Sequence, residues 1–172
     1  MQNARKMGYF LLIFGIILYS NLAADSNSTR MLTDPAISNS QIVFSYANDL
    51  WIAGQDGSNA RRLTSAAGTE TSPVFSPDGQ TVAFSGNYDG NIDVYLVSAN
   101  GGIPSRLTWH PYADTVRGFS KDGKYVIFSS NRLAANRGRP KLFKVSINGG
   151  YPKAMILPYA NKLSLSPDNK KI

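Results

Sequence analysis

After Ser38 the chain alternates short apolar runs with polar turns, and the runs return in a fixed order. The fullest copy lies between Ser72 and Thr108. It holds Val74-Phe75-Ser76, a turn at Pro77-Asp78-Gly79, a return as Thr81-Val82-Ala83-Phe84-Ser85, and a second turn at Asn87-Tyr88-Asp89-Gly90-Asn91. A third run, Ile92-Asp93-Val94-Tyr95-Leu96-Val97, is followed by Gly101-Gly102 and a closing Arg106-Leu107-Thr108. Runs of this length between Gly, Pro, Asn and Asp predict four short β segments joined by three turns. No amphipathic helical period is found after Ser38, so the expected fold class is all-β.

The first turn can be argued residue by residue. Ser76 caps it, Pro77 presets φ, Asp78 tolerates the bridge region, and Gly79 supplies the positive φ of a hairpin with a bulge. The turn recurs 44 residues on as Ser120-Lys121-Asp122-Gly123, and 46 beyond that as Ser166-Pro167-Asp168-Asn169, where Asn169 takes the left-handed position. Asp49-Leu50-Trp51, Asp93-Val94-Tyr95 and Lys141-Leu142-Phe143 are spaced by 44 and 48, and Arg62-Leu63-Thr64 precedes Arg106-Leu107-Thr108 by 44. The four extra residues of the third copy are most simply placed in the loop Asn131 to Pro140. A period near 44 residues with four strands per copy predicts β-propeller blades, since one such sheet cannot bury both faces alone. Ile42-Val43-Phe44, Val82-Ala83-Phe84 and Tyr125-Val126-Ile127-Phe128 are apolar on consecutive residues and read as strands buried on both faces. Trp51, Tyr95 and Phe143 recur at one repeat position and read as core.

The resulting division is a segment 1–24, a polar lead-in 25–38, and a partial propeller 39–172 with units of about 39–68, 69–111, 112–158 and 159–172. The first unit shows three strands, near Ile42 to Tyr46, Leu50 to Ala53 and Ala60 to Thr64. About three and a half blades are present, and the chain stops inside the strand expected after its last turn. It therefore reads as a fragment with an incomplete ring.

Residues 1–24 change the picture of location. Arg5 and Lys6 precede a 13-residue apolar run, Met7 to Tyr19, followed by small residues suited to cleavage after Ala23 or Ala24. The run is shorter than the roughly 20 residues a membrane span needs. The expectation is a secretory signal peptide, transient contact with the membrane, and a product exported to the periplasm or beyond.

Charge and chemistry add exclusions. Of 18 basic and 11 acidic side chains, removal of the leader leaves 16 and 11. Arg132, Arg137, Arg139, Lys141 and Lys144 form the one local cluster, which reads as a solvated loop; without an aromatic stacking pattern, no nucleic-acid partner is expected. There is no Cys, one His, no G-x-S-x-G elbow, no phosphate loop and no metal-ligand spacing. No catalytic, cofactor or metal residue is assigned. His110 reads as a hydrogen-bonded turn residue beside Pro111, and Tyr88 to Asp93 as an Asx-stabilised hairpin turn that lacks the ligand alternation of a calcium loop.

The run Glu70 to Gly79, with Tyr88 to Tyr95, Gly101 to Pro111 and Asp114 to Phe119, resembles the first propeller of tricorn-type proteases. The resemblance extends over about Met31 to Ile172 and includes Ala47 to Trp51. The S-P-D-G turn is shared with TolB and prolyl oligopeptidase propellers, whereas the series Arg106 to Pro111 is more specific. The resemblance implies a large serine peptidase in which two propellers precede a PDZ-like module and a catalytic region of the C-terminal-processing type. The family's nucleophile, base and oxyanion residues lie in that later region, so none falls on this chain. The implied role is a non-catalytic scaffold and gate for peptides, with a peptide or protein ligand and the remainder of its own polypeptide as partners. Two readings stay open beside it: a TolB-like periplasmic protein-binding propeller, and the propeller of a prolyl-oligopeptidase-like enzyme.

Overall fold

The structure, a computed structural model, describes residues 31–133, 139–157, 159–162 and 164. Ala23, Ala24, Pro167, Asp168, Asn169, Arg137 and most of the fourth unit lie outside the described residues.

Twelve strands follow in order: β1 Thr33–Ile37, β2 Gln41–Tyr46, β3 Asp49–Gly54, β4 Arg61–Arg62, β5 Thr69–Phe75, β6 Thr81–Asn87, β7 Ile92–Ser98, β8 Ser105–Arg106, β9 Asp114–Phe119, β10 Tyr125–Ser130, β11 Lys141–Ser146 and β12 Lys153–Ala154. They form three four-stranded antiparallel meanders, β1-β2-β3-β4, β5-β6-β7-β8 and β9-β10-β11-β12. Among the described residues there is no helix, and the three sheets do not close a ring. The first edge strands pack on one another, β1 on β5 and β5 on β9. The sheets therefore converge along β1, β5 and β9 and fan apart toward β4, β8 and β12, as propeller blades do about an axis.

The period-two alternation of each middle strand decides which blade it serves. Val82, Phe84, Tyr95 and Val97 of the second blade join Val43, Leu50, Ile52 and Leu63 of the first in one buried cluster. Ala83, Val94 and Leu96, on the opposite face, join Val126, Phe128, Phe143 and Val145 of the third blade in the other. Each blade thus turns an aromatic cross-strand pair toward the blade before it: Phe84 with Tyr95 and Phe128 with Phe143, each stacked at 5.7 Å.

The aromatic rule corrects two expectations. In the first blade the equivalent pair, Phe44 opposite Trp51, lies on the face pointing away from the second blade. Trp51 is only half-buried, in contact with Tyr46, whereas Tyr95 and Phe143 are buried. For the same reason Ile42 and Phe44 are half-buried, while β6 and β10 are covered on both faces.

A further difference is the strand β1, which gives the first blade four strands and lies within the segment read as lead-in. Its alternation is hidden by a bulge at Asp34-Pro35, where the register against β2 shifts between Thr33 and Ala36. β5 repeats the device at Ser72-Pro73, shifting between Thr71 and Val74. Asp34 and Ser72 take left-handed φ of 50° and 53°.

Candidate functional site

Because the sheets converge on β1, β5 and β9, the bulges bring Asp34, Ser72 and Arg117 to the axial edges of the three blades. A bulge on an edge strand re-aims a side chain and interrupts pairing. Asp34 Oδ2 accepts the Ser72 N–H at 3.0 Å, which ties the first blade to the second at this edge. On β9 the register slips between Gly118 and Val116, leaving Arg117 as the extra residue. Its guanidinium donates to Ser129 Oγ at 3.1 Å and to Asn161 Oδ1 at 2.8 Å, both neutral acceptors. Burial lowers the Arg117 pKa, and the nearby Asp34 charge opposes that shift. The axial edge therefore carries a half-buried cation whose hydrogen-bond partners are uncharged.

Behind this edge, each junction between blades is sealed by a fully buried carboxylate at the head of the incoming inner strand. Glu70 accepts hydrogen bonds from the Leu50 N–H at 2.9 Å and from the hydroxyls of Thr64 and Tyr88. Burial, and then the Glu70 carboxylate, push the Tyr88 phenol far up, so it stays a donor. Forty-four residues on, Asp114 replaces Glu70 and Arg132 replaces Tyr88. Arg132 pairs with Asp114 Oδ2 and lies 5.1 Å over the rings of both Phe128 and Phe143, while Asp114 Oδ1 is buried without a partner.

At the outer rim, a second repeated group closes the short fourth strand on the third in the first two blades. Arg62 pairs with Asp49 at 2.8 Å and Arg106 with Asp93 at 2.6 Å. Each of these arginines also donates from Nε to the carbonyl of the Thr two residues on, at 2.9 Å. Thr64 and Thr108 accept the N–H of Leu50 and Val94, both at 3.0 Å. The spacing of Asp49-Leu50 and Arg62-Leu63-Thr64 thus serves one rim clamp, and the second blade repeats it.

The two ends of the blades differ in chemistry. At one end the turns between first and second strands stand side by side. Gly79 has φ 71° and Gly123 φ 67°, and Ser38 and Pro77 of the preceding turns lie against them. Thr81 N–H donates to Ser76 Oγ and Tyr125 N–H to Ser120 Oγ, each at 3.0 Å. Ser76 and Ser120 in turn donate to Asp78 and Asp122, holding both carboxyls below their ordinary value. The first blade turns through Ser38-Asn39-Ser40 instead, with Ser38 closing directly on Gln41.

At the junction of the second and third blades, Trp109, His110, Arg132, Tyr151 and Pro152 line a largely apolar notch of about 430 Å³. His110 Nδ1 accepts the Tyr112 N–H at 3.2 Å, and its ring stacks on Tyr112. Asn91 donates to Asp93 at 3.0 Å and to the His110 carbonyl at 2.6 Å, so the Tyr88 to Asp93 turn is tied to the notch. The basic cluster read as one loop is split: Arg132 is in the buried pair, Arg139 is exposed, and Lys141 and Lys144 stand on β11. Sequence reasoning missed the buried carboxylates, the clamp and the notch. The shared 44-residue step from Glu70 to Asp114 and from Tyr88 to Arg132 was the signal that would have exposed the first.

The same architecture is found in known proteins. The family described as the tricorn protease N-terminal beta propeller domain matches residues 29–172. The crystal structure of the tricorn protease superposes with a TM-score of 0.71 at 22% identity, over 80% of this chain and 14% of that one. TolB from Acinetobacter baumannii gives 0.62 at 22% identity, over 81% and 36%. The Tol-Pal system protein TolB of Bordetella pertussis is 35% identical over 51 residues, which are 30% of this chain and 12% of that protein. The chain thus spans a minor part of the proteins it matches, and the structural likenesses carry the fold alone.

Proposed function

The chain belongs to the tricorn protease N-terminal beta propeller domain family, and on that premise we propose that it is the non-catalytic N-terminal propeller segment of an exported tricorn-like serine peptidase, acting as scaffold and gate for peptides. The observation that carries the reading is the axial edge. Three inner strands, two with X-Pro bulges and the third with Arg117 as its bulge residue, present polar side chains toward the axis while the apolar positions are used up between blades. Irregular edges of this kind resist pairing with a passing strand while still offering it polar contacts. The peptidase residues belong to regions beyond these blades, so the role of this segment is to admit and orient.

The test is photo-crosslinking in the full-length protein. Benzoylphenylalanine placed at position 117, on the axial edge, should capture a fluorescein-labelled digest of unfolded casein; the same group at position 147, on the exposed loop after β11, should not. Capture at 147 alone would overturn the axial reading. Export is tested by N-terminal sequencing, which should begin at Ala24 or Asp25, and the peptidase assignment by whether the transcript downstream of Ile172 encodes a serine catalytic region.

A TolB-like protein-binding propeller is the second reading, favoured by the 35% identity to Bordetella pertussis TolB over 51 residues. In that case the group at position 117 captures an intact folded protein instead of unfolded peptides.

A further inference from the structure

Charge is divided unevenly between the blades. Residues 31–111 carry 3 basic and 7 acidic side chains, whereas residues 112–172 carry 12 basic and 3 acidic. The rim shows where the change is made. At the position of Asp49 and Asp93 the third blade has Lys141, and at the position of Arg62 and Arg106 it has Ala154, each 48 residues after its counterpart in the second blade. The clamp that neutralises the rim cation within each of the first two blades is therefore absent from the third. On the other face of the same strand pair, at the positions of Leu96 and Ser105, Lys144 and Lys153 stand opposite each other across β11 and β12. Lys144 lies 4.8 Å over the Tyr125 ring, and Lys141 and Arg139 lie 5.8 and 5.3 Å over Tyr159. Among the described residues the ion pairs involve only Arg62, Arg106 and Arg132, so none of the lysines of this rim is neutralised by a carboxylate.

The apolar notch opens on the face of this blade turned toward the second, opposite the face that carries Lys144, and is joined to β12 through Tyr151-Pro152-Lys153. Trp109 is 65% exposed and Tyr151 97%. The fold does not demand the indole, because Ser65 occupies the Trp109 position at the preceding junction, whereas the Tyr151 position is held there by Ile103, also exposed. Lysines on an edge strand also guard against edge-to-edge pairing. That role alone gives no reason to set an exposed Trp and Tyr beside the same edge, since both would promote the association that the lysines oppose.

We propose that the rim of the third blade is a docking surface for an acidic, extended polypeptide segment, whose carboxylates meet Lys141, Lys144 and Lys153 and whose apolar side chain enters the notch between Trp109 and Tyr151. Charge complementarity selects the partner: the lysines of this rim, in no ion pair among the described residues, receive carboxylates from a ligand whose side chains alternate between the two faces of the edge. β12, only two residues long and the outermost strand of its sheet, offers the backbone edge along which such a segment lies. The aromatic walls supply the anchor and the lysines supply register and on-rate. This surface is at the opposite edge of the sheet from Arg117, so it stands or falls apart from the axial reading.

The experiment is fluorescence anisotropy on the full chain with a labelled glutamate-rich peptide carrying one central phenylalanine. Lys144→Glu combined with Lys153→Glu should weaken binding by about tenfold, and Trp109→Ala by about tenfold. Lys121→Glu, in the turn between β9 and β10, should change it less than about twofold. Circular dichroism checks that each variant keeps its strand signal. Equal binding of a matched lysine-rich peptide, an unchanged affinity in the double charge reversal, or tighter binding to phosphatidylglycerol vesicles or single-stranded DNA than to the acidic peptide would each overturn the proposal.

Discussion

The junction of the first and second blades and that of the second and third solve one problem with different side chains. Both bury a carboxylate at the head of an inner strand, beneath an aromatic cross-strand pair. In the first junction Glu70 reaches back to the preceding blade and is met by hydroxyls and a backbone N–H. In the second, Asp114 is a methylene shorter, and the groups of the preceding blade are engaged elsewhere: Val94 N–H donates to Thr108, and Thr108 donates to Asp93 at 3.1 Å. Asp114 instead takes a guanidinium from its own blade and leaves one oxygen bare. The difference teaches that the repeat conserves the place of a buried acceptor while the donor set follows the carboxylate's reach. Neutral donors cost little desolvation, whereas a buried ion pair is costly to break from one side.

The largest expected effect comes from breaking the ion pair on one side. Arg132→Met should cost about 3–5 kcal/mol, because Asp114 is left fully buried without its cation. Adding Asp114→Leu should recover most of the loss. The denaturant midpoint of both variants checks this, and a double variant no better than the single would show that the guanidinium acts by packing alone. Tyr88→Phe at the other junction should cost less, about 1–2 kcal/mol, because Glu70 keeps the Leu50 N–H and the Thr64 hydroxyl.

The rim clamps make a milder contrast of the same kind. Asp93 is fully buried and Asp49 is 13% exposed, with Arg62 itself 48% exposed. Arg106→Ala should therefore cost about 2 kcal/mol, and Arg62→Ala less than about 1 kcal/mol. Thermal melts of the two variants, run side by side, should keep that order.

The smallest effect is acid sensitivity at the turns. Asp78 and Asp122 have carboxyls held below the ordinary value of 3.8, chiefly by the Ser76 and Ser120 hydroxyls. A lowered folded value means that the contribution is fully present above the ordinary pKa and is lost as pH falls through the folded one. The Gln80 and Lys124 amides, which donate to these carboxylates, should lose protection from hydrogen exchange, relative to the intrinsic rate at each pH, below about pH 4. The Ser38–Gln41 turn has no carboxylate and should show no such step.

The architecture was legible because it is repeated. Val82-Ala83-Phe84 and Tyr125 to Phe128 declare buried middle strands by composition, and the spacing of Asp49, Asp93 and Lys141 sets their register. The first strand of the first blade was not legible, since Asp34-Pro35 interrupts its alternation at the bulge. The half-exposure of Trp51 escaped because a repeat position tells which face a side chain takes but not whether anything covers it. Glu70 and Asp114 were hidden for a different reason. They sit in polar stretches, Thr69 to Ser72 and Ala113 to Thr115, that read as surface, and their burial depends on donors 18 residues away in sequence. The notch was invisible because it is assembled from the connection after β8 and the turn before β12, which no local pattern joins.

The two junctions are one repeated device with different donors. A pair of double-mutant cycles tests this most directly, one on Glu70→Gln with Tyr88→Phe and one on Asp114→Asn with Arg132→Met, each read from equilibrium denaturation of the full chain. Both pairs should couple, the first by about 1 kcal/mol and the second by about 3 kcal/mol. Additive costs within about 0.5 kcal/mol in either cycle, or the larger coupling at the Glu70 junction, would contradict it.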